Sequence, residues 1–139
     1  MTATKTRLIF LLLTISISLA AQTTDKETES KTIIKGHIVD ATTGEVMPLV
    51  LVTIFFTETD YKSVRADFDG CFSIQIPNDK TVTDKSNLEF IIFNYKKLVM
   101  DSCFYKTDNL KVSMAADPSR QITREEYEKL CKERYEYGE

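Results

Sequence analysis

The stretch RADFDGCFSIQIP, residues 65–77, decides how this chain is read. Asp67, Asp69 and Gly70 imitate the centre of a calcium-binding loop, where oxygens at alternating positions precede a glycine. Such a loop also needs a bidentate glutamate six residues after the glycine and continues into a helix. Here Ile76 holds that place, and Cys71, Phe72, Ser73, Ile74, Gln75 and Ile76 alternate as a strand does. The other reading is a reversal: Asp69 and Gly70 tolerate left-handed backbone, and a hairpin strand starts at Cys71 with Phe72, Ile74 and Ile76 facing inward. The turn fits better, so the stretch predicts β-structure and no metal.

Working outward, the same signals repeat. Residues 32–40, TIIKGHIVD, suit a first strand, and ATTGE supplies a turn around Gly44. PLVLVTIFF, 48–56, is rich in β-branched and aromatic residues. Val50, Val52 and Ile54 are expected on one face, and Leu49, Leu51 and Phe55 on the other. A short strand is expected in SVRAD, 63–67, and others in LEFIIFNY, LVMDSCFY and NLKVSMA, with Leu88, Phe90 and Ile92 sharing a face and Leu110, Val112 and Met114 alternating. About seven short strands with turn signals and no helical period between them predict an all-β, antiparallel sandwich over 32–117.

Beyond DPS the period changes. Thr123 and Glu126 have the spacing of a capping box, and Ile122 and Tyr127 that of a hydrophobic staple. Glu125 with Lys129, and Glu128 with Lys132, stand in the favourable order for helix ion pairs. Tyr127, Leu130, Cys131 and Tyr135 form a narrow apolar stripe. A helix of about fourteen residues is marginal alone in water, so the segment 120–139 is expected either to dock on the sandwich or to offer that stripe to a partner.

The start of the chain has the plan of a secretory signal peptide over residues 1–21: Lys5 and Arg7, an apolar run from Leu8 to Leu19, then Ala20 and Ala21. QTTDKETESK, 22–31, reads as a flexible linker. Removing the signal would take the formal net charge of the 139-residue chain from -3 to -5, since the signal carries two cations and no anions. A mildly acidic product of about 118 residues without a basic cluster is suited neither to nucleic acid nor to an anionic membrane surface. No later run is long enough to span a bilayer, so the processed chain is not expected to cross one. The three cysteines, Cys71, Cys103 and Cys131, are an odd set in which spacing selects no disulfide.

The ordered segments IKGHIVDATTGEVMPLVLVTI, SVRADFDGCFSIQIP, LEFIIFNYKK and NLKVSMAAD resemble carboxypeptidase-regulatory-like domains, which are transthyretin-like (prealbumin-like) β-sandwiches of secreted and outer-membrane bacterial proteins. Gly36, Gly44, Pro48, Asp67, Gly70, Phe72 and Tyr95 fall on that family's turn and core positions. Asn94 replaces the usual glycine before Tyr95, and Leu49 follows Pro48 where a glycine is usual. The resemblance covers about residues 33–115. It implies a seven-stranded transthyretin-like fold and a non-catalytic scaffold or interaction module, with structural roles for those residues and for Asp69.

Independent signs of catalysis are few. His37 is the one histidine, and a Cys–His pair would need Cys71 or Cys103 beside it with an orienting third group. Asp60, Asp67, Asp69, Asp79 and Asp84 are expected in solvated loops at the sandwich ends. The function expected is therefore non-enzymatic and without cofactor: an exported periplasmic or secreted module, associated with the cell envelope and bound to a protein partner, an outer-membrane transporter being one candidate. The alternative is a transthyretin-like binder of a small ligand in a cavity between sheets.

Overall fold

Each expected strand has a counterpart, the one expected over LVMDSCFY being strand as far as Asp101 with residues 102, 103 and 105 outside the described residues, and the element order is β1 (Ile33–Asp40), β2 (Leu51–Phe55), β3 (Tyr61–Arg65), β4 (Cys71–Gln75), β5 (Asn87–Ile91), β6 (Leu98–Asp101), β7 (Leu110–Met114) and α1 (Arg124–Tyr135). The structure, a computed structural model, describes residues 32–101, 104 and 108–135. The expected signal peptide at 1–21 and linker at 22–31, together with Cys103 and the end of the tail at 136–139, lie outside the described residues.

The strands form two sheets. One has three strands in the order β4-β1-β7, the other four in the order β3-β2-β5-β6. Their inner faces carry Ile38, Phe72, Ile74, Val112 and Met114 on one side and Val52, Ile54, Leu88 and Phe90 on the other, each at most 4% exposed. Phe72 and Phe90 meet edge to face across the two sheets, with centroids 5.6 Å apart. At about 1.5–3 kcal/mol for each fully buried large apolar side chain, this shared interior is the main stabilising term.

Two expectations need correction. First, the strands are not all antiparallel. β1 pairs antiparallel with β4 but parallel with β7, from Gly36 opposite Leu110 to Asp40 opposite Met114. Alternation reveals which side chains share a face, but carries no information on strand direction. The chain between β1 and β7 travels through the other sheet, so the parallel pair needs no crossover helix. Second, Leu49 is not a strand residue. β2 begins at Leu51, and Leu49 sits before it with φ 62° and 40% exposed. The strand expected at 63–67 also starts earlier, at Tyr61, because Tyr61–Arg65 pairs with all of β2.

Gly36 and Gly70 explain how the strands approach each other. A Cβ at Gly36 would stand 2.7 Å from the Leu110 carbonyl oxygen and 2.7 Å from the Phe72 ring. Its absence lets β7 and Phe72 close on β1. Gly70 has φ 75°, and a Cβ there would lie 2.7 Å from the Ile38 carbonyl oxygen.

β2 is buried on both faces, as its run of apolar residues demands. Val52 and Ile54 face the other sheet, while Leu51 and Thr53 face outward under α1, all fully buried. α1 starts at the capping box: the Glu126 amide donates to Thr123 Oγ1 at 3.2 Å, and the Thr123 amide donates to Glu126 Oε2 at 2.9 Å.

Candidate functional site

The turn of the opening stretch is built by Asp67. Its Oδ1 accepts from the amides of Asp69 and Cys71, each at 2.9 Å, and its own amide donates to the Cys71 carbonyl at 2.8 Å. Gly70 completes the reversal, and its carbonyl accepts from the Ile38 amide at 2.8 Å. Asp67 is thereby a cap for backbone donors that the reversal would otherwise leave open.

A second turn is organised by Asp40, which follows the same logic. Its Oδ1 accepts from the amides of Thr42 and Thr43 at 2.7 and 2.9 Å, and Gly44 has φ 74°. The Tyr95 hydroxyl donates to Asp40 Oδ2. That bond, with the Thr43 and Thr42 amides, holds Asp40 below the ordinary carboxylate value, and the same bond raises Tyr95. Asn94, with φ 67°, turns the chain so that Tyr95 can reach. Pro48 is exposed just before Leu49.

His37 and Cys71 are register partners on β1 and β4. The imidazole donates from Nε2 to the Asp69 carbonyl at 3.0 Å, and Cys71 Sγ lies 3.9 Å from the same oxygen. Both side chains stand on the outer face of the three-stranded sheet, where Cys71 is exposed and His37 half-buried. Cys71 and Cys131 are free thiols. The five aspartates do not gather at one place: Asp60 and Asp79 share Lys80, and Asp67 caps its own turn. Among the described residues no three His, Cys, Asp or Glu side chains come together as a metal ion would require.

The most elaborate constellation lies on the outer face of the four-stranded sheet, under α1. Thr53 stands between Ser63 on β3 and Glu89 on β5. Thr53 and Ser63 share a buried hydroxyl–hydroxyl bond of 2.9 Å. Glu89, only 6% exposed, receives Arg134 from the last turn of α1 and Lys97 at 2.9 Å. Burial pushes this carboxyl upward, but the bonds to Arg134 and Lys97 outweigh it and leave Glu89 below its ordinary value. The Arg134 guanidinium also lies over the Phe55 ring, 5.1 Å from its centroid.

Tyr127 anchors the other end. It is 7% exposed, packs on Phe93 with centroids 5.6 Å apart, and donates its hydroxyl to the Leu49 carbonyl. Burial first, then the neighbouring Cys131, push its hydroxyl up to about 12, with Arg65 opposing. Burial likewise raises Cys131. Leu130 and Cys131 are half-buried, and Tyr135, under Arg65 at 5.0 Å, is 41% exposed. The apolar stripe of the helix thus faces its own domain, and Tyr127 is closed to any outside partner while the helix is docked.

Sequence reading missed the residues that hold this face. The helix pairs formed are Arg124–Glu128 at 3.0 Å and Lys129–Glu133 at 3.7 Å, in place of Glu125–Lys129 and Glu128–Lys132. Glu89 had one signal, a lone charge inside the apolar run LEFII; Arg134 had none, because its partner lies 45 residues away. Cavities of about 650, 440, 400 and 270 Å³ lie on outer faces and ends. None of these four is lined by Val52, Ile54, Phe72, Ile74, Phe90 or Ile92, the residues over which the sheets meet. Among the described residues, no helix is long and apolar enough to cross a membrane. Comparison with family models, curated proteins and solved structures finds no match.

Proposed function

We propose that this chain is a non-catalytic, exported β-sandwich module of the carboxypeptidase-regulatory-like kind, which works in the cell envelope by binding an extended segment of a protein partner along β6. The edge itself carries the reading. β3 meets β4 at one side of the stacked sheets, where Lys62 Nζ donates to the Gln75 carbonyl at 2.9 Å. β6 is the outer strand at the other side of the four-stranded sheet. Along it Val99 points outward and is 47% exposed, while Leu98 and Met100 are half-buried against the core. Sheet edges are usually blunted by lysine, proline or a bulge within the strand, and an unblunted edge can add a strand from another chain.

Further support comes from the chemistry-bearing residues, which have structural partners: His37 at the Asp69 carbonyl, Asp67 and Asp40 in their turns, Glu89 beneath the helix. The left-handed backbone at Gly44, Gly70 and Asn94 supports the family resemblance. The test is a photo-crosslinking side chain placed at position 99, or at position 111 on the outer face of the other sheet, in cells making the full chain. Adducts from position 99 alone are the expected result. Adducts from position 111, or from neither, would refute the β6 edge.

A further inference from the structure

We propose that Cys71 and His37 form a surface site for a soft monovalent cation, copper(I), on the outer face of the three-stranded sheet. The proposal goes beyond the β6 edge: it lies on the other sheet and needs no protein partner.

Two placements carry it. First, the strands bring two soft donors together. Cys71 and His37 are register partners on antiparallel β4 and β1. Directly opposite residues on one face have Cβ atoms about 4.5–5.5 Å apart. A metal joining a sulfur to an imidazole nitrogen holds those two atoms about 4 Å apart, so the strand spacing suits the bridge. Second, both side chains reach one point. His37 Nε2 lies 3.0 Å from the Asp69 carbonyl oxygen, and Cys71 Sγ lies 3.9 Å from the same oxygen. That oxygen stands ready as a third, weaker donor. Cys71 is a free, exposed thiol, so an ion reaches it straight from solvent.

The donor set chooses the metal. Zinc asks for a tetrahedral set of ligands and calcium for a shell of oxygens. Among the described residues no three His, Cys, Asp or Glu side chains gather to supply either. Copper(I) favours thiolate, accepts imidazole and is stable with two strong bonds. Charge points the same way. A thiolate with a monovalent cation is neutral overall, and leaves nothing for the exposed Lys111, the partner of His37 on β7, to repel. On binding, the Cys71 S–H proton leaves to solvent as the copper–sulfur bond forms. The imidazole moves its proton from Nε2 to Nδ1 through water, releases the Asp69 carbonyl and gives its Nε2 lone pair to the metal. Copper enters and stays as copper(I), so nothing is oxidised or reduced.

The test titrates the full chain with copper(I), kept reduced by ascorbate without oxygen, against a chromophoric copper(I) chelator. The wild-type chain is expected to withdraw copper from the chelator. Cys71→Ser and His37→Gln should each weaken that hold by about tenfold or more, since even a supporting residue of a metal site is worth as much. Cys131→Ser should match the wild type. A Cys71→Ser or His37→Gln chain that holds copper as well as the wild type would overturn the site, and so would an equal loss in Cys131→Ser. A second readout needs no substitution. Silver(I), with the same charge and softness, is added to the nitrogen-15-labelled wild-type chain, whose one histidine gives an unambiguous imidazole signal. The Nε2 resonance of His37 is expected to shift as silver binds. An unmoved Nε2 resonance would overturn the Cys71–His37 pair, even where a variant had failed to fold.

Discussion

Four described positions, Gly44, Leu49, Gly70 and Asn94, hold left-handed backbone for different reasons, and the sequence shows only some of them. Gly70 is legible, because Asp-Gly before an alternating run is a turn signal, and the structure adds a second reason in the Ile38 carbonyl that a side chain would strike. Asn94 is legible as a residue that tolerates φ 67°. Leu49 is not: a branched apolar residue at φ 62° is disfavoured locally, and only tertiary bonds hold it there, its amide donating to the Ala66 carbonyl and its carbonyl accepting from Tyr127. Opposite substitution effects follow. Gly70→Val places a β-branched side chain at positive φ and against a backbone oxygen, and should lower stability by more than ~1 kcal/mol. Leu49→Gly relieves a left-handed strain of about 1–2 kcal/mol and gives back part of it as chain entropy, so stability should be unchanged or higher by up to about 1 kcal/mol. Urea denaturation of the two variants beside the wild type checks both signs; a Leu49→Gly chain clearly less stable than wild type would contradict the strain.

At the scale of the element, α1 shows where local rules stop. Its start was legible because a capping box is written in four consecutive residues. Its ion pairs were not: Arg134 in the last turn answers to Glu89 across the sheet, and Lys129 pairs with Glu133 in place of Glu125. Two titrations therefore bracket its docking. Tyr127 has a hydroxyl raised from 10.0 to about 12, so the docked, protonated form is favoured. Its contribution is complete below about pH 10 and is lost as pH rises through about 12. Glu89 is lowered from 4.5, so its contribution is present above that value and is lost as pH falls through the lower folded one. Lys97 and Arg134 are the cations that face it. Tyr127→Phe should cost about 1 kcal/mol at neutral pH, the net worth of one hydrogen bond, and should flatten the alkaline limb of a stability–pH curve. Glu89→Gln should flatten the acid limb. Thermal unfolding from pH 3 to 11 reads both, and unchanged limbs in the variants would show that α1 docks by other means.

For the whole molecule, alternation was enough to count strands and assign faces, while the closure of the three-stranded sheet was hidden. β1 lies between β4 and β7, and the second of these pairings joins residues 36–40 to 110–114 in parallel. Nothing local to either segment encodes that direction; it follows from how two sheets must stack to bury both inner faces. The consequence is an asymmetry between the two C-terminal pieces. β7 brings Leu110, Val112 and Met114, exposed 4%, 2% and 1%, into the shared interior. At about 1.5–3 kcal/mol each, those three side chains match the whole net stability of an ordinary domain, about 5–15 kcal/mol. α1 brings one fully buried side chain, Tyr127, together with polar ties at Leu49 and Glu89. A chain ending at Ala116 should therefore keep its β-sheet circular dichroism and a cooperative urea transition, shifted to lower urea because Leu51, Thr53 and Ile91 lose their cover. A chain ending at Asp108 should lose that transition altogether. If the shorter chain still unfolds cooperatively, the parallel β1–β7 pair is not what closes the sandwich; if the longer one is already unfolded, α1 is part of the core.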